Sequence, residues 1–540
     1  MGRVDEILKN LSLDEMIGQL LCFNWGALVE KGDFEKIEEL TEKTKAGGFY
    51  TFNCGSPENI KKALKCMEKY TKIPTIVAGD MENGPGGFYS DDGLIPDPMA
   101  WGACDDPDLV EKAHIATAEI ARKLGIHWSF SPVVDINFNC NNPVTNIRAI
   151  SDSPKQVAKM AVAAVRGMQR NGLMAAGCKH FPGDGMDDRN QHFCTTINSL
   201  SKEEWMNTYG YVYKELFKEG ASTVMVGHIA LPAYDEKLND WVGYPPGSIS
   251  YNIQTKLLKG ELGFEGCIVS DALSMIGVNA AIHPDRSAVE FIKAGGDIIL
   301  FPLVEDAQRI KDAVLSGEIS MERIQDAVTR VLKLKEKVRL FEDQEVVEKD
   351  ITNNYNLNEI ADKIAEKSIT VVRNYGDKLP LDLKKGDKVL LINVQKAGAI
   401  PSMLHRELTT VAEEFEKRGI KTVSFTNPKR EDVMDEIGDA AAVFVNLNVC
   451  CRNFTGGSLR IGWEHIHYLW RGSILRHPNC IFTSFGDPYK LHDIPFAKNY
   501  LNVYSSVMPS QRAFVKAILG EIPIQGKNPV SHKGYFEAEV

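Results

Sequence analysis

The sequence has no excess of basic residues; its formal net charge is −11. That removes the basic footprint of a nucleic-acid binder and disfavours attachment to anionic membrane surfaces. No run of about 18 apolar residues occurs, so no membrane-spanning helix is expected. There is no Cys-x-x-Cys pair and no metal-ligand spacing, so neither metal nor cofactor is expected. The 11 cysteines are odd in number and scattered through 540 residues. This is the usage of reduced thiols in a cytoplasmic protein, not of a disulfide framework. The adjacent Cys450 and Cys451 read as two small buried apolar residues. The N-terminal stretch is acidic early and its apolar run is short, so no secretory leader is expected. A G-x-S-x-G elbow and a phosphate-cradling P-loop are both missing.

What is present is a rhythm of short apolar runs between longer amphipathic stretches, the sign of βαβ units. Eight runs precede residue 305, at 19–25, 47–52, 74–80, 126–133, 173–180, 222–228, 267–271 and 297–301. Helix-like segments lie between them, such as 107–125 and 153–172, the latter opening on Ser153-Pro154 and closing at Gly172. Eight such units predict a (β/α)8 barrel over residues 1–340, with a large doubly wound sheet as the alternative. Residues 341–365 read as a polar linker with a short helix from 357. A second rhythm over 366–540, with runs such as "DKVLLINV", "AAVFVNL" and "CIFTSF", predicts a smaller open α/β sandwich domain.

Asp80, Lys179-His180, His228 and Asp271 each fall at the C-terminal end of a predicted strand. Strands buried on both faces should be apolar throughout. In a barrel their C-terminal ends converge on the rim where active sites are built. Any one of these residues alone reads as a helix cap or, for His228, as a core histidine; together they point to one pocket. Asp271, leaving the apolar run "GCIVSD", could attack an acetal carbon beside a sugar-sized cleft. The stretch "KHFPGDGMDDRNQHF" (179–193) breaks regular structure at Pro182, Gly183 and Gly185. It predicts a mobile loop that carries His192 over the pocket as a proton donor and acceptor, a solvated loop being the alternative.

"KHFPGDG" with a loop-end His, and "LGFEGCIVSDALSM", resemble glycoside hydrolase family 3, its β-N-acetylglucosaminidase branch above all. "LSLDEMIGQLL", "WSFSPVVDINFNCNNPVTNIRAI", "AGGDIILF", "SITVVRN" and "LGEIPIQGKNPV" extend the resemblance over nearly the whole chain. It implies a retaining exo-glycosidase that removes terminal β-linked sugars, N-acetylglucosaminides first, from small carbohydrate substrates. By resemblance Asp271 is the nucleophile, His192 the loop acid/base, and Asp80, Arg148, Lys179 and His180 the sugar-hydroxyl contacts; His228 would line the same rim. The branch's Asp-x-His dyad is here Asn190-Gln191-His192. An amide orients the ring without neutralising an imidazolium, so weak activity or a shifted acid/base arrangement is expected, with Asp187 or Asp188 as substitutes. The branch's Asp-x-Glu-Gly-Gly-Arg is here "DMENGPGGF", without the Arg. Phosphorolysis, β-glucosidase-type specificity and a catalytically impaired sugar-binding protein remain as alternatives. Pocket capping and homodimerisation are the roles left open to the second domain.

Overall fold

The computed structural model describes residues 2–51, 56–86, 93–240, 243–395, 406–451, 459–462, 466–467 and 474–540. Positions 52 and 87–88 of the stretches read above lie outside the described residues. Among the described residues ten strands lie before residue 301: β1 (Leu21–Asn24), β2 (Gly48–Tyr50), β3 (Ile76–Gly79), β4 (Trp128–Ser129), β5 (Ala175–Phe181), β6 (Thr196–Ile197), β7 (Thr223–Val226), β8 (Ile229–Ala230), β9 (Cys267–Ser270) and β10 (Ile299–Leu300). Eight of them form one sheet in the order β10-β1-β2-β3-β4-β5-β7-β9. A parallel bridge between Val269 and Ile298 brings its two ends together. The sheet is therefore a barrel and not an open doubly wound sheet. Apart from Asn24 its strands are buried, and they are largely apolar, as a sheet covered by helices on one face and a filled interior on the other requires.

The helix at Pro107–Lys123 starts behind Asp106, whose carboxylate accepts the Leu109 N–H at 3.1 Å. The helix expected to reach Gly172 stops at Gln169, because Asn171 turns into the left-handed region at φ 57°. The loop after β5 carries strand β6, which pairs in parallel with β8. Two residues are too few to show a period, so neither strand was readable in advance. At the opposite, N-terminal end of the barrel, Lys335 from the helix Met321–Lys337 is fully buried. Its Nζ donates to Gln19 Oε1 at 2.6 Å and to the Gly47 carbonyl at 2.8 Å.

The second body is a six-stranded sheet of β11 (Thr370–Asn374), β12 (Lys388–Gln395), β13 (Lys421–Thr426), β14 (Ala442–Asn448), β15 (Cys480–Ser484) and β16 (Asn499–Asn502), in the order β11-β16-β15-β14-β12-β13. All pairings are parallel except β11 with β16. Apolar clusters cover both faces, which makes it a layered sandwich. Strand β16 escaped the sequence reading because two buried asparagines, Asn499 and Asn502, interrupt its apolar pattern.

The stretch expected to be a linker holds a short helix, Gln344–Lys349, before the expected one at Leu357–Ser368. That second helix is shared. Leu357, Ile360, Ala361 and Ile364 join the barrel core, while Ala365 joins the core of the second body. We place the division between the two bodies within 341–365 as a proposal. No helix among the described residues is long and apolar enough to cross a membrane.

Candidate active site

Asp80 follows the last residue of β3, Lys179 and His180 sit inside β5, and Asp271 follows the last residue of β9. All reach the C-terminal rim, where the ends of buried strands must give way to polar groups. Lys179 Nζ lies 2.6 Å from Asp80 Oδ1 and 2.8 Å from Glu82 Oε1. Arg148 forks onto Glu82, Nε at 2.9 Å from Oε2 and Nη2 at 2.8 Å from Oε1. Tyr50 donates its hydroxyl to Asp80 Oδ2 at 2.8 Å. Burial works against the charge on Lys179, but the Asp80 and Glu82 carboxylates outweigh it and hold the ammonium above its usual range. Glu82 is the hub of this clamp and the sequence reading assigned it no role. Its signal was present as a second carboxylate two positions past Asp80 on a rim segment.

His180 is fixed from behind. Its Nδ1 lies 2.7 Å from Asp135 Oδ2, and its backbone N–H donates to Asp135 Oδ1 at 3.1 Å. The Asp184 N–H donates to the same Oδ1 at 2.7 Å. A carboxylate accepts only, so Nδ1 carries the hydrogen and Nε2 is left to the pocket. Asp135 is the second residue the sequence reading passed over, although a carboxylate inside the apolar run "SPVVDI" needed a partner.

His228 does not line the rim. It is fully buried, with Nδ1 2.9 Å from Ser248 Oγ and Nε2 3.1 Å from the Ala272 carbonyl. Both ring nitrogens are occupied, so no sugar hydroxyl can reach them. It braces the segment behind Asp271 instead.

The Asp271 N–H donates to the Val226 carbonyl at 2.9 Å, and the Ala272 N–H donates to Asp271 Oδ1 at 2.8 Å. Burial pushes this carboxyl up, but His180, His228 and His192 pull it further down, and it stays below the ordinary aspartate range. Asp271 is therefore an ionised carboxylate at neutral pH.

His192 Nδ1 lies 2.6 Å from Asn190 Oδ1, which also accepts the His192 backbone N–H at 2.9 Å. A backbone N–H can only donate, so the amide oxygen faces His192 and Nδ1 bears the hydrogen. Nε2 is then the ring nitrogen that does not carry the hydrogen. His192 stands at the mouth, partly in solvent yet crowded by protein. Loss of hydration lowers its basicity, Asp271 opposes this, and Arg148, His180 and His228 add to it, leaving it at about 4. The charges of His192 and Asp271 thus influence each other. Asp187 does not replace the missing loop carboxylate: it binds Arg189 Nη2 at 2.5 Å and the Ile197 N–H at 2.9 Å. Asp188 faces a separate cavity.

The loop expected to be mobile is tethered. Gln191 Oε1 accepts the His228 N–H at 3.0 Å, the His192 carbonyl accepts the Ile276 N–H at 3.2 Å, and Thr195 Oγ1 donates to the Gly277 carbonyl at 2.8 Å. A Cβ on Gly277 would lie 2.1 Å from the Gln191 carbonyl, so only glycine lets the loop dock. The second body reaches the same region, where Cys451 Sγ lies 3.7 Å from the Thr145 carbonyl, close to Arg148. No group of metal-binding side chains occurs among the described residues.

Residues 12–334 match the profile of the glycosyl hydrolase family 3 N-terminal domain. A beta-N-acetylglucosaminidase/beta-glucosidase of Cellulomonas fimi is 29% identical over 97% of this chain and 94% of its own length. Among solved structures, a beta-glucoside phosphorylase superposes with a TM-score of 0.83 at 28% identity, covering 98% of this chain and 95% of its own. A family 3 beta-N-acetylglucosaminidase from Paenibacillus sp. str. FPU-7 gives a TM-score of 0.83 at 25% identity over 96% of this chain and 99% of its own. With the profile spanning more than half of its length and the two-body likeness running nearly end to end, the chain belongs to glycosyl hydrolase family 3 and is a glycosidase.

Proposed function

We propose that the protein removes terminal β-linked sugars, N-acetyl-β-D-glucosaminides first, by a retaining mechanism through a glycosyl intermediate on Asp271. What supports this is that Asp271 is held ionised within the electrostatic reach of His192, whose Nδ1 is tied to Asn190. Asp80, Lys179 and Arg148 hold the sugar hydroxyls in fixed directions, and Nε2 of His180 contributes a further contact. Asp271 attacks the anomeric carbon as His192 Nε2 gives a proton to the departing oxygen. The same nitrogen then takes a proton from water as the intermediate opens. The relatives named for N-acetylglucosaminides support the choice of sugar.

With His192 at about 4, its acidic form falls roughly tenfold per pH unit above that value. Substrates whose leaving group needs a proton are therefore turned over best in mild acid. Nitrophenyl glycosides, which leave unprotonated, keep their rate at neutral pH. Asp271→Ala should lower turnover of a nitrophenyl N-acetylglucosaminide by about 10³-fold or more and abolish covalent labelling by a slow fluorosugar. Undiminished labelling refutes the nucleophile.

A second reading is phosphorolysis, with phosphate in place of water. It is favoured by the neutral Asn190 beside His192, which puts no negative charge where a phosphate dianion would approach. Likeness to a beta-glucoside phosphorylase supports it too. Turnover in phosphate buffer separates the two: a sugar 1-phosphate supports this reading, and free sugar alone excludes it.

A further inference from the structure

A cavity of about 640 Å³ opens where barrel loops meet the second body. Its size is that of a small-molecule site, yet none of the residues assigned above to the catalytic pocket lines it. Asp188 comes from the loop that carries His192, while Arg460, Tyr489, His492 and His532 come from the second body.

The polar groups here are held in place. Lys490 is 2% exposed and bonds Asp487 at 2.5 Å. Arg460 Nε donates to Asp493 Oδ1 at 2.5 Å, and Asp493 Oδ2 accepts the Ile461 N–H at 3.0 Å. His532 is 6% exposed, and its Nε2 has no hydrogen-bond partner among the described residues. The His532 ring stacks on Tyr535 at 4.6 Å and meets Tyr489 edge-on at 5.2 Å, so part of the wall is aromatic.

The charges select the ligand. An anion would face the carboxylates of Asp188, Asp487 and Asp493, and a cation would face Arg460 and Lys490. A neutral polyhydroxylated ligand uses both signs, donating to the carboxylates and accepting from the cations. Its apolar C–H face suits the aromatic wall.

We propose that this cavity is a second carbohydrate site, separate from the catalytic pocket, for a neutral β-linked oligosaccharide. It adjoins the catalytic machinery. Asn137 Nδ2 donates to the Tyr489 hydroxyl at 2.9 Å, two residues after the Asp135 that fixes His180. A glycan held there raises the local concentration of chain ends beside the catalytic pocket. The inference rests on the family and the cavity, not on the roles given to Asp271 and His192.

Calorimetry with sulfur-linked chitotriose and cellotriose, which the enzyme does not consume, tests it. The expected count for at least one of them is two molecules per wild-type chain. It should fall to one in the Arg460→Ala, His492→Ala double variant, with an unchanged melting temperature showing that the variant folds. One molecule or none on the wild type, or two retained on the folded double variant, overturns the proposal. The count does not depend on turnover: an inactive enzyme that still binds two sinks the earlier reading and keeps this one.

Discussion

The barrel buries two lysines, one near each end, and they behave oppositely. Lys179 at the C-terminal rim is 4% exposed and sits between Asp80 and Glu82, which keep its ammonium charged beyond the ordinary range. Lys335 at the N-terminal end is fully buried against two neutral acceptors, and burial pulls it down to about 7, with only a weak opposing influence from Cys22. The residue type and the burial are the same; the partners differ. Carboxylates beside a buried cation preserve its charge, whereas dipoles alone let the charge lapse.

The largest expected effect is from Lys179→Met. It leaves Asp80 and Glu82 with one cation fewer and should cost about 3–5 kcal/mol of stability and about 10³-fold in kcat/KM. Urea melts and a nitrophenyl glycoside assay measure both, and a stability loss below about 1 kcal/mol would break the contrast. Next is the bottom lysine. A lysine whose folded pKa is lowered binds fewer protons folded than unfolded, so stability rises with pH between about 7 and the unfolded value. The slope is about 1.4 kcal/mol per pH unit. Lys335→Met should remove that slope between pH 8 and 9 relative to wild type, and Gln19→Glu should flatten it by giving Lys335 a carboxylate of its own. Equal slopes in all three proteins would refute the assignment. The smallest effect concerns His192, the dipole-held member of the rim. Asn190→Asp should raise its basicity and speed hydrolysis of an alkyl glycoside about tenfold at pH 7, with nitrophenyl glycosides within about twofold. No gain on the alkyl substrate would show that the amide is not the limiting partner.

The barrel was legible because most of its strands are short apolar runs, and Asp80, His180 and Asp271 stand where three of these runs give way to polar residues. The residues that hold them were less visible. Glu82 and Asp135 act through partners 66 and 45 positions away in sequence, separations that local pattern does not encode. Lys335 left a faint trace, since it shares the helical face of Val328, Val331 and Leu332, where a charge is out of place. His228 was misread for the opposite reason: a histidine two residues past β7 looks like a rim residue until both its nitrogens are seen to be taken. The contact of Asn190 with His192 spans only two positions, a local relation that the sequence displays directly.

The helix at Leu357–Ser368 ties neighbouring turns of one rod to two different interiors. A chain cut after the last barrel helix would leave a wet apolar stripe on the barrel wall and would clump. Heating the whole chain should accordingly give a single calorimetric peak, because neither half can loosen without stripping the other's half of that rod.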